Sequence, residues 1–359
     1  MAHALRLAER GRFTARPNPV VGCVLAHAER VVGEGWHERA GGAHAEVMAL
    51  QMAGAQARAA TAYVTLEPCA HFGRTPPCAD ALIAAGVARV VIAQRDPFEH
   101  VDGRGIDKLR AAGISVECGL LSEQARELNR GFLQRIQHGR PWLRLKLAMS
   151  LDGRTALANG ESKWITGAAA RADVQRWRAR SGAILTGSGT VLADNPQLTL
   201  RVAESPDVGG ALAPLRVVLD SRLQTPAGAH VLDGSTPTLL LHAATSAADE
   251  PRFARAERAV VEIGEGGLDL HAVLGLLAQR GINEVQVEAG PVLCGALFAV
   301  GLVDEVLLYV APVFLGDAAR PLLALPSLSD MQERWRLRVI EQRHVGDDWR
   351  IVLRPAEHE

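Results

Sequence analysis

Between Thr61 and Cys118 the chain alternates short apolar runs with amphipathic ones. "TAYVTLEPC", "RVVIAQRDP" and "ISVECG" read as strands. "CADALIAAGV" and "GIDKLRAAG" between them read as helices, the first closed by Gly86 as a C-cap. Strands joined through helices return to the same edge of a sheet and lie parallel. Upstream, "PVVGCVLA" and "ERVVGEG" read as two strands on a short turn, and "HAEVMALQMAG" as a helix. Downstream, "SEQARELNRGFLQRI" reads as one helix capped by Ser122, with Glu123 in its first turn. The fold class is therefore α/β: a largely parallel sheet opened by a hairpin, with helices on both faces.

That pattern stops at "QHGRP", and "WLRLKLAMSLDGRT" starts a fresh strand. A chain of 359 residues is too long for one ordinary core. Two domains follow, 1–140 and 141–359, with the boundary near Arg140. The second again mixes strands ("GAILTG", "LRVVLD", "TPTLLLH", "RAVVEIG", "NEVQVEAG", "EVLLYVAP") with helices and ends in a hairpin. Residues 203–214 and 242–258 read as loops or weak helix at an edge.

A formal net charge of -1 gives no bulk attraction to nucleic acid or membrane, so neither is expected as a partner. The N-terminal "MAHALRLAERGRF" is an amphipathic helix rather than a signal peptide, and no later run is long enough to span a bilayer. A cytoplasmic location, a small-molecule substrate and a homo-oligomer are expected. The five cysteines are odd in number and scattered, which argues against a disulfide framework. Cys23, Cys118 and Cys294 fall in apolar patterns and read as core.

Cys69 and Cys78 are different. Cys69 follows a strand, Cys78 opens a helix, and His44 opens another. Helix starts carry free N–H groups and partial positive charge, which favour thiolates. Taken singly, each reads as a surface histidine or a buried thiol. Taken together they read as three zinc ligands that leave the fourth tetrahedral position to water, whose pKa zinc lowers to about 7. Glu46, two residues after His44, would stand beside that water and move its proton. His71 is a rival ligand of lower rank, since no general base lies next to it. This H-x-E…P-C logic is that of zinc nucleobase deaminases, although the second cysteine lies farther on than C-x-x-C allows.

With "RPNPVVGCV", "GEGWHERAGGAHAEVMAL" and "YVTLEPCAHFGRTPPCADALIAAGVARVV" on one chain, the sequence resembles the bifunctional deaminase/reductase family of riboflavin biosynthesis. The resemblance continues through "LKLAMSLDGRTA", "GESKWITG", "AILTGSGTVLADNPQLTLR", "VVLDSR" and "VEAGPVLCGAL". It implies a cytidine-deaminase-like α/β/α domain followed by a dihydrofolate-reductase-like α/β domain, with Zn2+ in the first and NADPH in the second. It implies His44, Cys69 and Cys78 as zinc ligands, Glu46 as proton shuttle, and Asn18, His37 and Arg74 as substrate contacts. Relatives with lysine at the Arg74 position leave its contact geometry open.

In the second domain the resemblance places Gly290, Pro291, Val292, Leu293, Cys294, Gly295 and Ala296 near the cofactor phosphates. This is a strand–glycine–helix junction that brings backbone N–H groups to an anion. Ala148, Trp164, Thr190, Asp194 and Ser221 also face the cofactor, and Ser162, Arg178, Leu198, Arg201 and Glu288 the phosphorylated substrate. Lys146 and Asp152 flank "LAMSL", and Lys146 joins the substrate set. Ser221 and Arg222 after "VVLD" suit a 2'-phosphate, hence NADPH rather than NADH. Hydride would go to ribose C1'; Lys146, Glu288 and a bound water all remain open as the proton source. A tRNA adenosine deaminase would need C-x-x-C and a basic groove. A zinc-stabilised binding module would need a fourth protein ligand and no Glu46.

Overall fold

The computed structural model describes residues 1–72, 76–244 and 251–356. The chain divides into two compact units, Met1–Gly139 and Arg140–Glu359.

In the first unit α1 (Ala2–Glu9) precedes the hairpin β1 (Gly22–His27) and β2 (Arg30–Trp36). Then come α2 (Ala45–Ala53), β3 (Thr61–Val64), α3 (Cys78–Ala85), β4 (Arg89–Ile92), α4 (Arg104–Ala111) and β5 (Ser115–Cys118). The sheet order is β2-β1-β3-β4-β5. β1 is antiparallel to both neighbours, while β3, β4 and β5 run parallel, as strands joined through helices must. Gly86 closes α3 in the left-handed conformation expected of it, at φ 69.

Two glycines set how closely α2 lies on the sheet. A Cβ on Gly33 would sit 2.2 Å from the Ala49 carbonyl oxygen, and one on Gly35 2.6 Å from that of Ala45. Only bare backbone lets α2 come down onto β2.

Three expectations need correction here. The stretch after β5 is two helices, α5 (Ser122–Leu128) and α6 (Arg130–His138). The break falls at Asn129, whose side chain accepts from Val20 N at 2.8 Å and donates to Val20 O at 2.9 Å. This clamp to the loop just before β1, 109 residues away, overrides the local helical pattern. Ser122 is the first helical residue rather than the cap, a position held by Leu121. Cys118 is exposed rather than core, because β5 is an edge strand.

The second unit contains the strands β6 (Trp142–Ser150), β7 (Arg154–Ala156), β8 (Ala183–Gly187), β9 (Leu215–Leu219), β10 (Thr238–His242) and β11 (Glu257–Val260). They are followed by β12 (Ile263–Gly264), β13 (Gly267–Leu268), β14 (Glu284–Val287), β15 (Glu305–Ala311), β16 (Arg320–Pro321), β17 (Leu337–Val345) and β18 (Asp348–Pro355). Its helices are α7 (Ala168–Arg180), α8 (Ser188–Asp194), α9 (Leu270–Gln279) and α10 (Pro291–Ala299). Nine strands form one sheet, ordered β11-β10-β9-β8-β14-β6-β15-β18-β17. It is parallel as far as β15, and the closing β17–β18 hairpin is antiparallel. The stretch 203–214 holds short 3-10 helices, Val202–Glu204 and Pro206–Val208, and then loop, in keeping with a weak helix or loop; residues 245–250 of the second weak stretch lie outside the described residues.

β6 shows how strand periodicity divides labour. Leu143, Leu145 and Leu147 pack into the core with α9 and α10. Arg144 and Lys146 alternate with them and face the other way. Arg144 is fully buried and bonds Glu284 at 2.8 Å and Glu305 at 2.7 Å, so its charge is compensated on both sides. No helix of the described residues is long and apolar enough to cross a membrane.

Candidate active sites

In the first unit, helix starts and one loop bring three donors together. His44 is the N-cap of α2, Cys78 the first residue of α3, and Cys69 lies in the loop after β3. One ligand atom from each lies within 4.8 Å of the others. His44 Nδ1 is 3.0 Å from Cys78 Sγ and 3.7 Å from Cys69 Sγ. Tetrahedral zinc with bonds of about 2.0 and 2.3 Å needs N and S donors roughly 3.5 Å apart. The donor set thus fits zinc, and among the described residues no fourth protein donor joins it. The Cys78 backbone N–H donates to Cys69 Sγ at 3.3 Å, supporting a thiolate there. The two thiols share one proton: the hydrogen bond from Cys78 outweighs burial and holds Cys69 down to about 4, while the same bond and burial push Cys78 up.

Glu46 follows on α2 and is 3% exposed. Burial, then the Cys69 charge, raises its carboxyl to about 7, where it can both accept and return a proton. It lines a cavity of about 520 Å³ with Asn18, His37, Glu67, His71, Asp96 and Phe98. His37 is buried, which lowers its pKa and keeps it neutral. Its Nδ1 is 3.1 Å from the Ala43 carbonyl oxygen and so carries the proton. Nε2 then accepts from Asn18 Nδ2 at 3.0 Å, which orients the amide. His71 lines the cavity but does not join the donor set; its buried Nδ1 has no partner among the described residues. Arg74 lies outside the described residues.

Asp96, Phe98 and Glu67 were not singled out from the sequence. Asp96 carried a readable signal, a carboxylate just past a buried strand. Glu67 is buried and receives four backbone N–H bonds, from Asp96, Gly103, Gly105 and Ile106 at 3.0–3.4 Å. It fastens the segment 96–106 beside the cavity. Gly105 has no room for a side chain, since a Cβ would lie 1.9 Å from the Pro68 carbonyl oxygen, one residue before Cys69.

In the second unit a cleft of about 580 Å³ holds Lys146, Ala148, Ser162, Trp164, Arg178, Leu198, Arg201 and Glu288. An adjoining groove of about 570 Å³ is lined by Ser221, Val292, Leu293 and Ala296, and by the Glu265–Gly267 turn. Thr190, Asp194, Gly290, Pro291 and Arg320 line both. The Thr190 hydroxyl accepts from Gly290 N at 3.1 Å, tying α8 to the glycine turn. Cys294 and Gly295 line neither cavity. Cys294 is buried in the core, and a Cβ on Gly295 would meet the Ala324 carbonyl oxygen at 2.1 Å. Arg222, unlike Ser221, does not line the groove.

Arg178 is committed within the protein. Nε and Nη2 bond the two oxygens of Glu288 at 2.7 Å each, and Nη1 donates to Thr199 O at 2.7 Å. Burial works to raise the Glu288 carboxyl, but the Arg178 charge and hydrogen bonds, with Lys146, outweigh it and hold it at about 2. Burial lowers Lys146, with Glu288 opposing. Arg201 is half-exposed and paired with Glu204 at 2.5 Å. Arg171 lies 4.6 Å over the exposed Trp164 ring. Asp152 faces neither cavity; its carboxylate accepts from Leu315 N and Gly316 N at 3.1 and 2.7 Å.

Residues 141–351 match the model of the RibD C-terminal domain, and residues 1–94 that of the cytidine and deoxycytidylate deaminase zinc-binding region. The riboflavin biosynthesis protein RibD of Escherichia coli K12 is 49% identical, covering 97% of this chain and 96% of its own. The chain belongs to the RibD family. The Haemophilus influenzae member is 45% identical over 99% of this chain and 96% of its own. The solved RibD of Acinetobacter baumannii superposes with a TM-score of 0.92 at 43% identity, covering 99% of this chain and 98% of that one. The Thermotoga maritima structure, a diaminohydroxyphosphoribosylaminopyrimidine deaminase and 5-amino-6-(5-phosphoribosylamino)uracil reductase, gives 0.85 at 33% identity, covering 99% and 97%. RibD family membership makes this a bifunctional deaminase and reductase of riboflavin biosynthesis that uses Zn2+ and NADPH. Its first unit is cytidine-deaminase-like and its second dihydrofolate-reductase-like.

Proposed function

We propose that the first unit hydrolyses 2,5-diamino-6-(5-phosphoribosylamino)pyrimidin-4-one at its 2-amino group, and that the second reduces the ribosyl group of the product to ribityl phosphate. The observation that carries the reading is the buried Glu46 carboxyl beside three donors spaced for zinc. His44, Cys69 and Cys78 would hold the metal, which when bound supplies a Lewis acid for the attacking water. Glu46 takes a proton from that water and returns one to the departing amine. Asn18, oriented by neutral His37, hydrogen-bonds the substrate, and Arg74 meets its phosphate.

In the second unit NADPH would lie along the groove, with its reactive end in the cleft, and supplies the hydride. That hydride would go to C1' as the C1'–O4' bond opens, leaving O4' to be protonated. Glu288, held ionised at about 2, has no proton to give near neutral pH. Lys146, buried with a lowered pKa beside it, is the side chain left to donate. Arg178 positions Glu288, and Ser162, Leu198 and Arg201 bound the substrate's place in the cleft.

Ammonia release and NADPH oxidation, followed together on the diaminopyrimidine phosphate, test the reading. Oxidation without prior ammonia release would reverse the order, and absence of both on zinc-loaded protein would reject the substrate. A cytoplasmic homo-oligomer completes the proposal. In its support, Leu337, Val339 and Ile340 are exposed on the edge strand β17, and sheet edges of that kind are usually covered. Light scattering that gave a monomer would refute it.

A further inference from the structure

Arg320 opens β16 and lines both cavities of the second unit. It is the one lysine or arginine on the groove among the described residues; the other charged groups there are Asp194 and Glu265. The arginines of the neighbouring cleft are engaged: Arg178 with Glu288, Arg201 with Glu204, and Arg171 with the Trp164 ring and Thr166 O. The Arg320 side chain makes no hydrogen bond or ion pair among the described residues.

Its place is set from two sides. β16 pairs with β7, Arg320 opposite Ala156, and Thr155 Oγ1 donates to Pro321 O at 3.2 Å. Ala324 N donates to Pro291 O at 3.1 Å, and Gly295 admits the Ala324 carbonyl where a side chain would stand. The segment 320–324 is thereby stitched to the first turns of α10. The guanidinium lies across Gly160, where a Cβ would come within 3.0 Å of Nη2.

A free cation thus stands where cleft and groove meet, beside the start of a nine-residue helix. On the reading above, the nicotinamide must reach Lys146 and Glu288 in the cleft while the adenosine lies in the groove by Ser221. The diphosphate bridge between the two halves must then cross the joint. We propose that Arg320 binds this diphosphate bridge and so sets the depth to which the nicotinamide enters the cleft. The planar fork of arginine suits adjacent phosphate oxygens. The N–H groups of Val292 and Leu293 at the helix start add donors that Pro291 lacks. The proposal rests on the assignment of the groove and cleft to the dinucleotide.

The test is direct binding on the full chain. NADPH and NADH are titrated separately, with nicotinamide fluorescence as readout, into wild type, Arg320→Ala, Arg320→Lys and Val292→Glu; 2'-AMP, which lacks the bridge, is measured by competition. Arg320→Ala should raise Kd for both dinucleotides by the same factor, about 10- to 100-fold, and leave 2'-AMP unchanged. Arg320→Lys should recover part of the loss, since it keeps the charge without the fork. Weakening of NADPH and 2'-AMP but not NADH would assign Arg320 to the 2'-phosphate and overturn the proposal. Unchanged dinucleotide Kd with a raised KM for the phosphorylated pyrimidine would overturn it in favour of the substrate phosphate. Val292→Glu puts a negative charge at the α10 start in the groove and should weaken NADPH. If it does not, the cofactor assignment itself falls, independently of Arg320. Both positions are exposed, so wild-type melting curves are expected and exclude loss of fold.

Discussion

Replacing Glu288 by Gln tests how far one buried charge pair supports both stability and chemistry. The substitution keeps size and planarity but leaves Arg178 buried without its counter-charge. The carboxyl falls from an ordinary 4.5 to about 2 on folding. At about 1.4 kcal/mol per tenfold change in proton affinity, this is worth about 3 kcal/mol at pH 7. Breaking a buried ion pair by removing one partner costs a similar ~3–5 kcal/mol. Because the folded pKa is depressed, the stabilisation is complete above the unfolded value of 4.5 and is lost as pH falls toward 2. About 1.4 kcal/mol should remain at pH 3. Five of the six tryptophans lie beyond Arg140, so tryptophan fluorescence follows melting of the second unit. The variant should melt roughly 6–12 °C lower at pH 7, by the usual scaling for a domain of this size. The gap should narrow only below pH 4.5. Loss of Glu288 also removes the charge that raises Lys146, so the alkaline limb of NADPH oxidation should move to lower pH. A stability loss under about 1 kcal/mol at pH 7, or a gap indifferent to acid, would refute the assignment of the low Glu288 pKa to Arg178.

Glu46→Gln should retain zinc by metal analysis and lose about 10²–10⁴-fold in ammonia release, while reduction of already deaminated substrate persists. Near-normal ammonia release would remove Glu46 as the proton shuttle. Arg201→Ala should raise the reductase KM for the phosphorylated pyrimidine by about tenfold or less, because Arg201 is half-exposed and shared with Glu204; steady-state kinetics with deamination as control decide it. Gly35→Ala should cost about 1–3 kcal/mol and lower zinc content, because its Cβ has no space beneath α2, the helix that His44 caps; denaturation and metal analysis report the two effects.

What was legible in the sequence was what depends on near neighbours. The strand–helix alternation and the Gly86 cap rest on local pattern, as does the grouping of His44, Cys69 and Cys78, whose ligand atoms lie within 4.8 Å of one another. Long-range pairing was not legible. Asn129 breaks a helix because it bonds Val20, and nothing within the helical run announces that. The resemblance implies Arg178 as a contact of the phosphorylated substrate, but a lone arginine gives no sign of its ion pair with Glu288, 110 residues onward. Cys118 looked like core because its run is apolar, but strand order decides burial and leaves β5 at the edge. Within the glycine turn, Cys294 and Gly295 belonged to the right motif, yet helical rotation points them into the core and leaves Val292, Leu293 and Ala296 on the groove. Arg320 sits in a two-residue strand with no motif of its own and could be found only from the pairing of that strand.

The clasp made by Glu67 gives the first unit a modular seam. One carboxylate gathers the backbone of Asp96, Gly103, Gly105 and Ile106, and none of those bonds depends on which side chains the segment carries. The residues between its fastenings, Phe98 and Val101 among them, face the cavity where substrate would be sorted. The metal donors come from other stretches of chain, His44, Cys69 and Cys78. Selectivity can therefore be rewritten by exchanging side chains at 97–102 while the clasp and the Gly105 contact stay as they are. A directed library confined to those positions explores new pyrimidines without touching the ligands of the metal.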